Sequence, residues 1–141
     1  MGGTFDHLHA GHKLLIKTAL SISKNIVIGL ITPKLLKNKK FSSNLEDYNT
    51  RKHNLIEFVK TFTKIERVQI VELNDPYGPP IHEPDYDGIV VSEETYKVAV
   101  KINEIRESKG FKPLIIIVIS IIKDENNQKI SSTSIREKLL I

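Results

Sequence analysis

Hydrophobic residues recur along this chain in two patterns, and the two patterns alternate. Continuous or alternating apolar runs predict strands at residues 25–32, 67–73, 88–91 and 114–122. Apolar residues at helical spacing predict helices at residues 11–23, 47–63, 92–110 and 132–140. The segment 74–87 contains four prolines, so we expect a loop there. Helices that alternate with buried strands predict an α/β fold with a doubly wound parallel sheet.

Length and composition limit the class of protein further. A chain of 141 residues is large enough for one hydrophobic core, so we expect a single domain over residues 1–141. The absence of cysteine excludes disulfides, thiolate metal ligands and a thiolate nucleophile. The longest apolar stretch, 114–122, is too short to span a bilayer and no secretory signal is visible, which favours a cytoplasmic protein without membrane contact.

The chain is moderately basic. Its 21 Lys and Arg residues exceed its 17 Asp and Glu residues, which gives a formal net charge of +4 and a pI of about 9.2. This excess fits a genome that favours lysine, and it also fits an electropositive cleft for nucleotides. Net charge alone does not separate these two interpretations.

Residues 4–12 (TFDHLHAGH) contain the densest candidate chemistry. They follow two glycines and lead into a predicted helix, an order typical of the phosphate-binding turn in α/β proteins. His9 and His12 are three residues apart at the helix start, so both rings can face one phosphate. The alternatives are local helix caps and a metal site formed by His7, His9 and His12. The glycines and the buried strands favour phosphate binding.

Two motifs resemble those of a known superfamily. Residues 4–6 followed by 9–12 (TFD and HAGH) resemble the signature of the H-x-G-H nucleotidyltransferases, and residues 130–136 (ISSTSIR) resemble the second motif of that group. Further segments resemble the phosphopantetheine adenylyltransferases of the archaeal and eukaryotic type; they are residues 75–79, 90–95, Asn103 with Arg106, and 37–40 with Arg51. The resemblance implies a Rossmann-like fold and the transfer of an adenylyl group from ATP to 4′-phosphopantetheine in coenzyme A biosynthesis.

This reaction needs charge stabilisation and positioning rather than a protein nucleophile. The resemblance implies catalytic roles for His12 at the α-phosphate, His9 at the neighbouring phosphates and Lys39 at the transferred group. The ATP-binding candidates are Gly3, Thr4, Phe5, His9, His12, Glu93, Ser131, Ser132, Thr133 and Arg136. The candidates for binding the second substrate are Thr4, Asp6, Lys39, Lys40, Arg51, Asp75, Tyr77 and Arg106.

The same resemblance implies ATP and 4′-phosphopantetheine as partners and Mg²⁺ as a cofactor, bound through the ATP phosphates with no metal ligands from the protein. We expect a monomer that binds no nucleic acid. The alternatives are another adenylyl- or cytidylyltransferase of the superfamily and a non-catalytic nucleotide-binding relative. A basic nucleic-acid binder is a third alternative, but the chain has no Trp and few other aromatic residues for base stacking.

The start of the chain departs from the pattern of the family. In a sheet of order 3-2-1-4-5 the first strand is central, and relatives have a short apolar strand before the two glycines. Only Met1 stands in that place here, so we expect the first strand to be a stub. Either the chain starts late or the sheet is imperfect at its centre, and we favour a late start.

Overall fold

The structure is a computed structural model. It describes residues 1–36 and 46–120 and, for the backbone alone, three later strands, Ile122–Lys123, Lys129–Ile130 and Ile135–Leu139. The chain divides into two compact units, Met1–Pro76 and Tyr77–Ile141. Within the described ranges, no helix has both the length and the apolar character needed to cross a membrane.

The first unit is a three-stranded parallel sheet with helices between its strands. Its elements are β1 (Gly2–Gly3), α1 (Ala10–Ile22), β2 (Ile26–Ile31), α2 (Pro33–Leu36), α3 (Tyr48–Lys60) and β3 (Val68–Leu73). The strand order is β1-β2-β3, with Gly2 opposite Gly29 and Ile31 opposite Leu73. The predicted order of these three strands, 3-2-1, is confirmed.

The first strand is the expected stub. It has two residues, and its pairing with β2 is extended by the carbonyl of Met1, which accepts a hydrogen bond from the N–H of Gly29 at 2.8 Å. Beside it, all but one of the residues of β2 are buried, and Ile28 and Leu30 are completely buried. The continuous apolar pattern at 25–32 therefore predicted both the strand and its burial.

The second unit contains β4 (Gly88–Ser92), α4 (Tyr96–Ser108), β5 (Ile115–Ile119), β6 (Ile122–Lys123), β7 (Lys129–Ile130) and β8 (Ile135–Leu139). Strands β4 and β5 are parallel, and α4 packs on them through a small core. That core consists of Val91, Ala99, Ile116 and Val118. Asn103, one of the motif residues, joins α4 to β5: its side chain donates to the carbonyl of Leu114 at 3.0 Å and accepts from the N–H of Leu114 at 2.7 Å.

The predicted closing helix at 132–140 is wrong. The backbone of 135–139 forms β8, which pairs antiparallel with β5 and places Arg136 opposite Val118. The sheet of this unit therefore combines a parallel pair, β4 and β5, with one antiparallel strand. The physical reason is that β5 would otherwise present an open edge of backbone N–H and C=O groups, and a strand satisfies that edge where a helix does not.

Candidate active site

Two histidines build the N-terminus of α1 by capping it. The Nδ1 atom of His9 accepts hydrogen bonds from the backbone N–H groups of Gly11 (3.1 Å) and His12 (3.4 Å). The Nδ1 atom of His12 accepts from the N–H of His9 at 3.3 Å. The first N–H groups of a helix lack partners within the helix, so these contacts satisfy them. The H-x-G-H spacing thus has a structural purpose, the capping of α1.

The two imidazole rings form a stacked pair. Their centroids are 3.6 Å apart and their planes differ by 22°. Because each Nδ1 accepts an N–H hydrogen bond, each neutral ring carries its proton on Nε2. Two Nε2–H donors at the positive end of a helix dipole suit a phosphate.

The turn that precedes the histidines has an unusual backbone. Phe5 and His7 have φ angles of 49° and 45°, in the left-handed region that residues other than glycine rarely adopt. Phe5 is buried, and its ring centroid lies 5.2 Å from that of His12. The predicted ATP contact of Phe5 is therefore available to its backbone rather than to its ring.

Residues at the start of α3 hold this turn. Glu46 accepts a hydrogen bond from the N–H of His7 at 2.6 Å and donates its own N–H to the carboxylate of Asp6 at 2.8 Å. Arg51 donates to the carbonyl of Thr4 at 3.0 Å. Sequence reasoning did not identify Glu46, and no local pattern could have done so, because its partners are about 40 positions away.

Several candidates lie at one edge of the first sheet. Thr4 follows β1, Thr32 follows β2 and Asp75 closely follows β3, so all three lie where the parallel strands end. The Oγ1 atom of Thr32 donates to the side-chain oxygen of Asn74 at 2.7 Å, which joins two of these strand ends. Ligands of open α/β sheets bind at this carboxyl edge. The structure therefore brings Thr4 and Asp75 to the expected edge.

One group of side chains could hold a cation. Asp6, His7 and Glu46 each offer a ligand atom, and these atoms all lie within 4.8 Å of one another. The His7 ring lies 3.5 Å from a carboxylate oxygen of Asp6 and 3.8 Å from one of Glu46. The alternative metal site of His7, His9 and His12 is not among the groups that the described residues form.

Both arginine candidates have other partners than a phosphate. Arg106 is completely buried and donates to five backbone carbonyls; they belong to Pro80, Glu83, Pro84, Tyr86 and Lys112. Burial lowers the pKa of Arg106 from its usual value. Arg51 is 1% exposed and donates to the carbonyls of Thr4, Ile31 and Glu46. The guanidinium of Arg106 is enclosed and occupied by these carbonyls, and the guanidinium of Arg51 likewise binds the protein backbone. Substrate contact by either arginine stays a prediction.

The other predicted site residues lie in several parts of the chain. Glu93 is exposed, and its carboxylate accepts a hydrogen bond from the hydroxyl of Ser120 at 2.6 Å. Gly3 lies in β1, and Tyr77 is half-buried in the proline-rich loop. Arg136 is placed by its backbone in β8. The remaining candidates lie outside the described residues; they are Lys39, Lys40, Ser131, Ser132 and Thr133.

A parallel sheet with a histidine-capped helix at its carboxyl edge defines a nucleotidyltransferase type of site. The chain belongs to the cytidylyltransferase-like family, whose sequence profile matches residues 1–138.

Proteins of similar sequence carry a more specific name than the family. A curated relative from Pyrococcus abyssi is named phosphopantetheine adenylyltransferase and is 42% identical over 140 residues, which are 99% of this chain and 88% of the relative. One of the same name from Methanosarcina mazei is 44% identical over 138 residues, 96% and 87% of the two chains. The crystal structure of a protein of unknown function from Archaeoglobus fulgidus is similar with a TM-score of 0.75 at 32% identity, over 85% of this chain and 95% of that one. The predicted resemblance is confirmed.

Proposed function

We propose that this nucleotidyltransferase transfers the adenylyl group of ATP to 4′-phosphopantetheine and forms dephospho-coenzyme A and pyrophosphate. The proposal is supported by relatives of that name that match nearly the whole chain. The structural observation that carries it is the stacked pair of His9 and His12 at the N-terminus of α1. Two neutral imidazoles at the positive end of a helix dipole provide donors for a phosphoryl group without a nucleophile.

The chemistry follows from these donors. A phosphate oxygen of 4′-phosphopantetheine attacks the α-phosphorus of ATP in line, and the bond from that phosphorus to the oxygen bridging the β-phosphate breaks as pyrophosphate leaves. The attacking phosphate is already ionised, so no general base is required. His12 donates to the α-phosphate and His9 to the adjacent phosphates, where charge develops in the transition state. Thr4 lies at the end of β1 and donates to the incoming phosphate.

Asp6 has a structural part in this scheme. One of its carboxylate oxygens accepts the N–H of Glu46 at 2.8 Å, so the side chain helps to orient the turn before the histidines. Asp75 and Tyr77, which the resemblance assigns to the second substrate, lie soon after β3, at the beginning of the proline-rich loop. For Gly3, Phe5 and Glu93 at ATP, and for Lys39, Lys40, Ser131, Ser132, Thr133 and Arg136 at the phosphates, the proposal rests on resemblance alone.

Mg²⁺ belongs to the proposal through the nucleotide. It would neutralise part of the charge on the leaving pyrophosphate. The Asp6, His7 and Glu46 group offers two carboxylates and an imidazole, whereas Mg²⁺ prefers an octahedral shell of oxygens. The group therefore fits a resident Mg²⁺ poorly, and we assign the ion to ATP rather than to protein ligands.

The wider features of the proposal are the domain organisation, the oligomeric state, the location and the partners of the protein. A match over residues 1–138 supports a single nucleotidyltransferase domain. We further propose that the protein acts as a monomer in the cytoplasm on small-molecule substrates, without nucleic acid or membrane partners.

The decisive experiment is an acceptor panel. The purified chain is incubated with ATP, Mg²⁺ and either 4′-phosphopantetheine, nicotinamide mononucleotide, flavin mononucleotide or an alcohol phosphate, and pyrophosphate release is measured with mass spectrometry of the products. We expect rapid release with 4′-phosphopantetheine only, and a product with the mass of dephospho-coenzyme A. Preference for another acceptor, or ATP binding without turnover, would contradict the proposal.

A further inference from the structure

The turn formed by residues 5–7 keeps a conformation that its backbone does not favour. Phe5 and His7, on either side of Asp6, both have φ angles in the left-handed region, which is unfavourable for side chains of this size. Such a turn persists only where surrounding contacts determine it. The turn leads within two residues to His9, so its conformation sets where the histidine pair lies relative to Thr4 and the sheet edge.

Glu46 makes a hydrogen bond to each of two residues of this turn, Asp6 and His7. Its carboxylate accepts the N–H of His7 at 2.6 Å, and its own N–H donates to the carboxylate of Asp6 at 2.8 Å. The two hydrogen bonds form a reciprocal pair between segments that are about 40 positions apart in the chain. Neither bond involves the atoms that cap α1.

Arg51 fixes Glu46 in turn. Its Nε donates to the carbonyl of Glu46 at 2.9 Å, while its Nη1 donates to the carbonyls of Thr4 at 3.0 Å and Ile31 at 2.8 Å. The guanidinium is planar and its donors have a fixed geometry, so three chain segments are held at set distances from one another. The end of β2, the start of the turn and the approach to α3 are thereby connected.

We propose that Glu46 is a positioning residue, which acts through the backbone of His7 and the carboxylate of Asp6 to place the His9 and His12 pair for adenylyl transfer. The histidines cap α1 by themselves, so the helix forms without Glu46. What Glu46 adds is the orientation of the helix start against Thr4. A small displacement of catalytic donors lowers the rate strongly while leaving ground-state binding nearly intact.

The test compares Glu46→Ala, Glu46→Gln and the control Glu57→Ala. Glu57 is exposed on α3 and belongs to no part of the site. We expect kcat of Glu46→Ala to fall about 30-fold while KM for both substrates changes less than about threefold, as for a misplaced catalytic group. Glu46→Gln keeps an oxygen acceptor for the N–H of His7, so its kcat should stay within about threefold of the original. Glu57→Ala should match the original chain.

A second measurement does not depend on activity. In Glu46→Ala the amide of His7 should exchange with solvent at least about tenfold faster, because it loses its acceptor. The amide of Thr50, which donates to Asp47 at 2.7 Å, is the internal reference and should keep its rate. Backbone exchange measured by NMR on the full chain reports both amides.

The outcomes separate this inference from the proposed function on which its kinetic arm rests. If the original chain and Glu57→Ala form no dephospho-coenzyme A, the proposed function fails, and amide exchange alone then decides the positioning role. If the original chain is active, unchanged kcat in Glu46→Ala overturns the inference. A Glu46→Gln variant as slow as Glu46→Ala also overturns it, because the charge and not the hydrogen bond would then matter.

Discussion

Two buried arginines, one in each compact unit, perform similar tasks with different consequences. Arg51 is 1% exposed and Arg106 is 0% exposed. Neither has a carboxylate within 4 Å among residues 1–36 and 46–120, and both donate to backbone carbonyls instead. An arginine can replace an ion pair in this way because its five N–H donors match several carbonyl oxygens at once.

The difference lies in what each arginine holds. Arg106 has five carbonyl partners, four of them in the segment 80–86, so it anchors this loop. Arg51 has three, and they connect the end of β2, the start of α3 and the turn before the histidines. The comparison teaches that the same residue type serves stability in one unit and the geometry of the candidate site in the other.

The largest expected effect is on the stability of the second unit. Arg106→Ala removes the donor of every one of these hydrogen bonds and leaves carbonyls without partners, so we expect a loss of about 4 kcal/mol in the free energy of unfolding. Urea denaturation measured by circular dichroism checks this. Lys101→Ala, an exposed change on the same helix, is the control and should be nearly neutral. A loss below about 1 kcal/mol would contradict the anchoring role.

The second prediction concerns chemistry in the first unit. His12→Ala removes an Nε2–H donor from the stacked pair, so kcat should fall at least about a hundredfold, which corresponds to about 3 kcal/mol of transition-state stabilisation. Steady-state formation of dephospho-coenzyme A is the measurement, with circular dichroism to verify the fold. His53→Ala, an exposed histidine on α3, is the matched control. A folded His12→Ala protein with near-normal turnover would remove His12 from the mechanism.

The third prediction tests the two arginines directly. Lysine keeps the charge but has one nitrogen in place of the planar fork, so Arg51→Lys and Arg106→Lys should each lower the free energy of unfolding by about 2 kcal/mol. Arg51→Lys should in addition lower kcat about tenfold, since the turn before the histidines loses a support. Both variants are assayed at a temperature where each is fully folded. Equal effects of the two changes on kcat would remove the distinction between the regions.

The sequence predicted the regular elements well because their signals are local. The helices α1 and α3 and the strand β2 agree with the predicted ranges to within three residues, since each buries its apolar residues with a clear period. The strand β8 was missed because residues 135–139 do not alternate, and its pairing depends on the open edge of β5 rather than on its own pattern.

The candidate site was predictable only in part, because only some of its contacts join residues that are close in the sequence. The pairing of His9 and His12 follows from helical geometry, so a spacing of three residues was enough to predict it. The support by Glu46 joins residues about 40 positions apart, and no pattern in the sequence marks it. The function of an arginine depends on its burial, which the segments around Arg51 and Arg106 do not reveal before the fold is known.

The smallest expected effect concerns the helix that carries Arg51. The carboxylate of Asp47 caps α3 by accepting the N–H of Thr50 at 2.7 Å, and this backbone hydrogen bond lowers the pKa of Asp47 below its usual 3.8. A carboxyl group with a lowered folded-state pKa stabilises the protein above its unfolded-state pKa, and the contribution is lost as the pH falls through the folded-state value. Asp47→Asn keeps the acceptor without the titration. Urea denaturation at pH 2.5 to 6 measures the free energy of unfolding of both chains. The difference between them should therefore be constant above about pH 5, and the original chain should lose stability relative to Asp47→Asn below about pH 4. Parallel pH profiles would mean that the charge of Asp47 does not stabilise the start of α3.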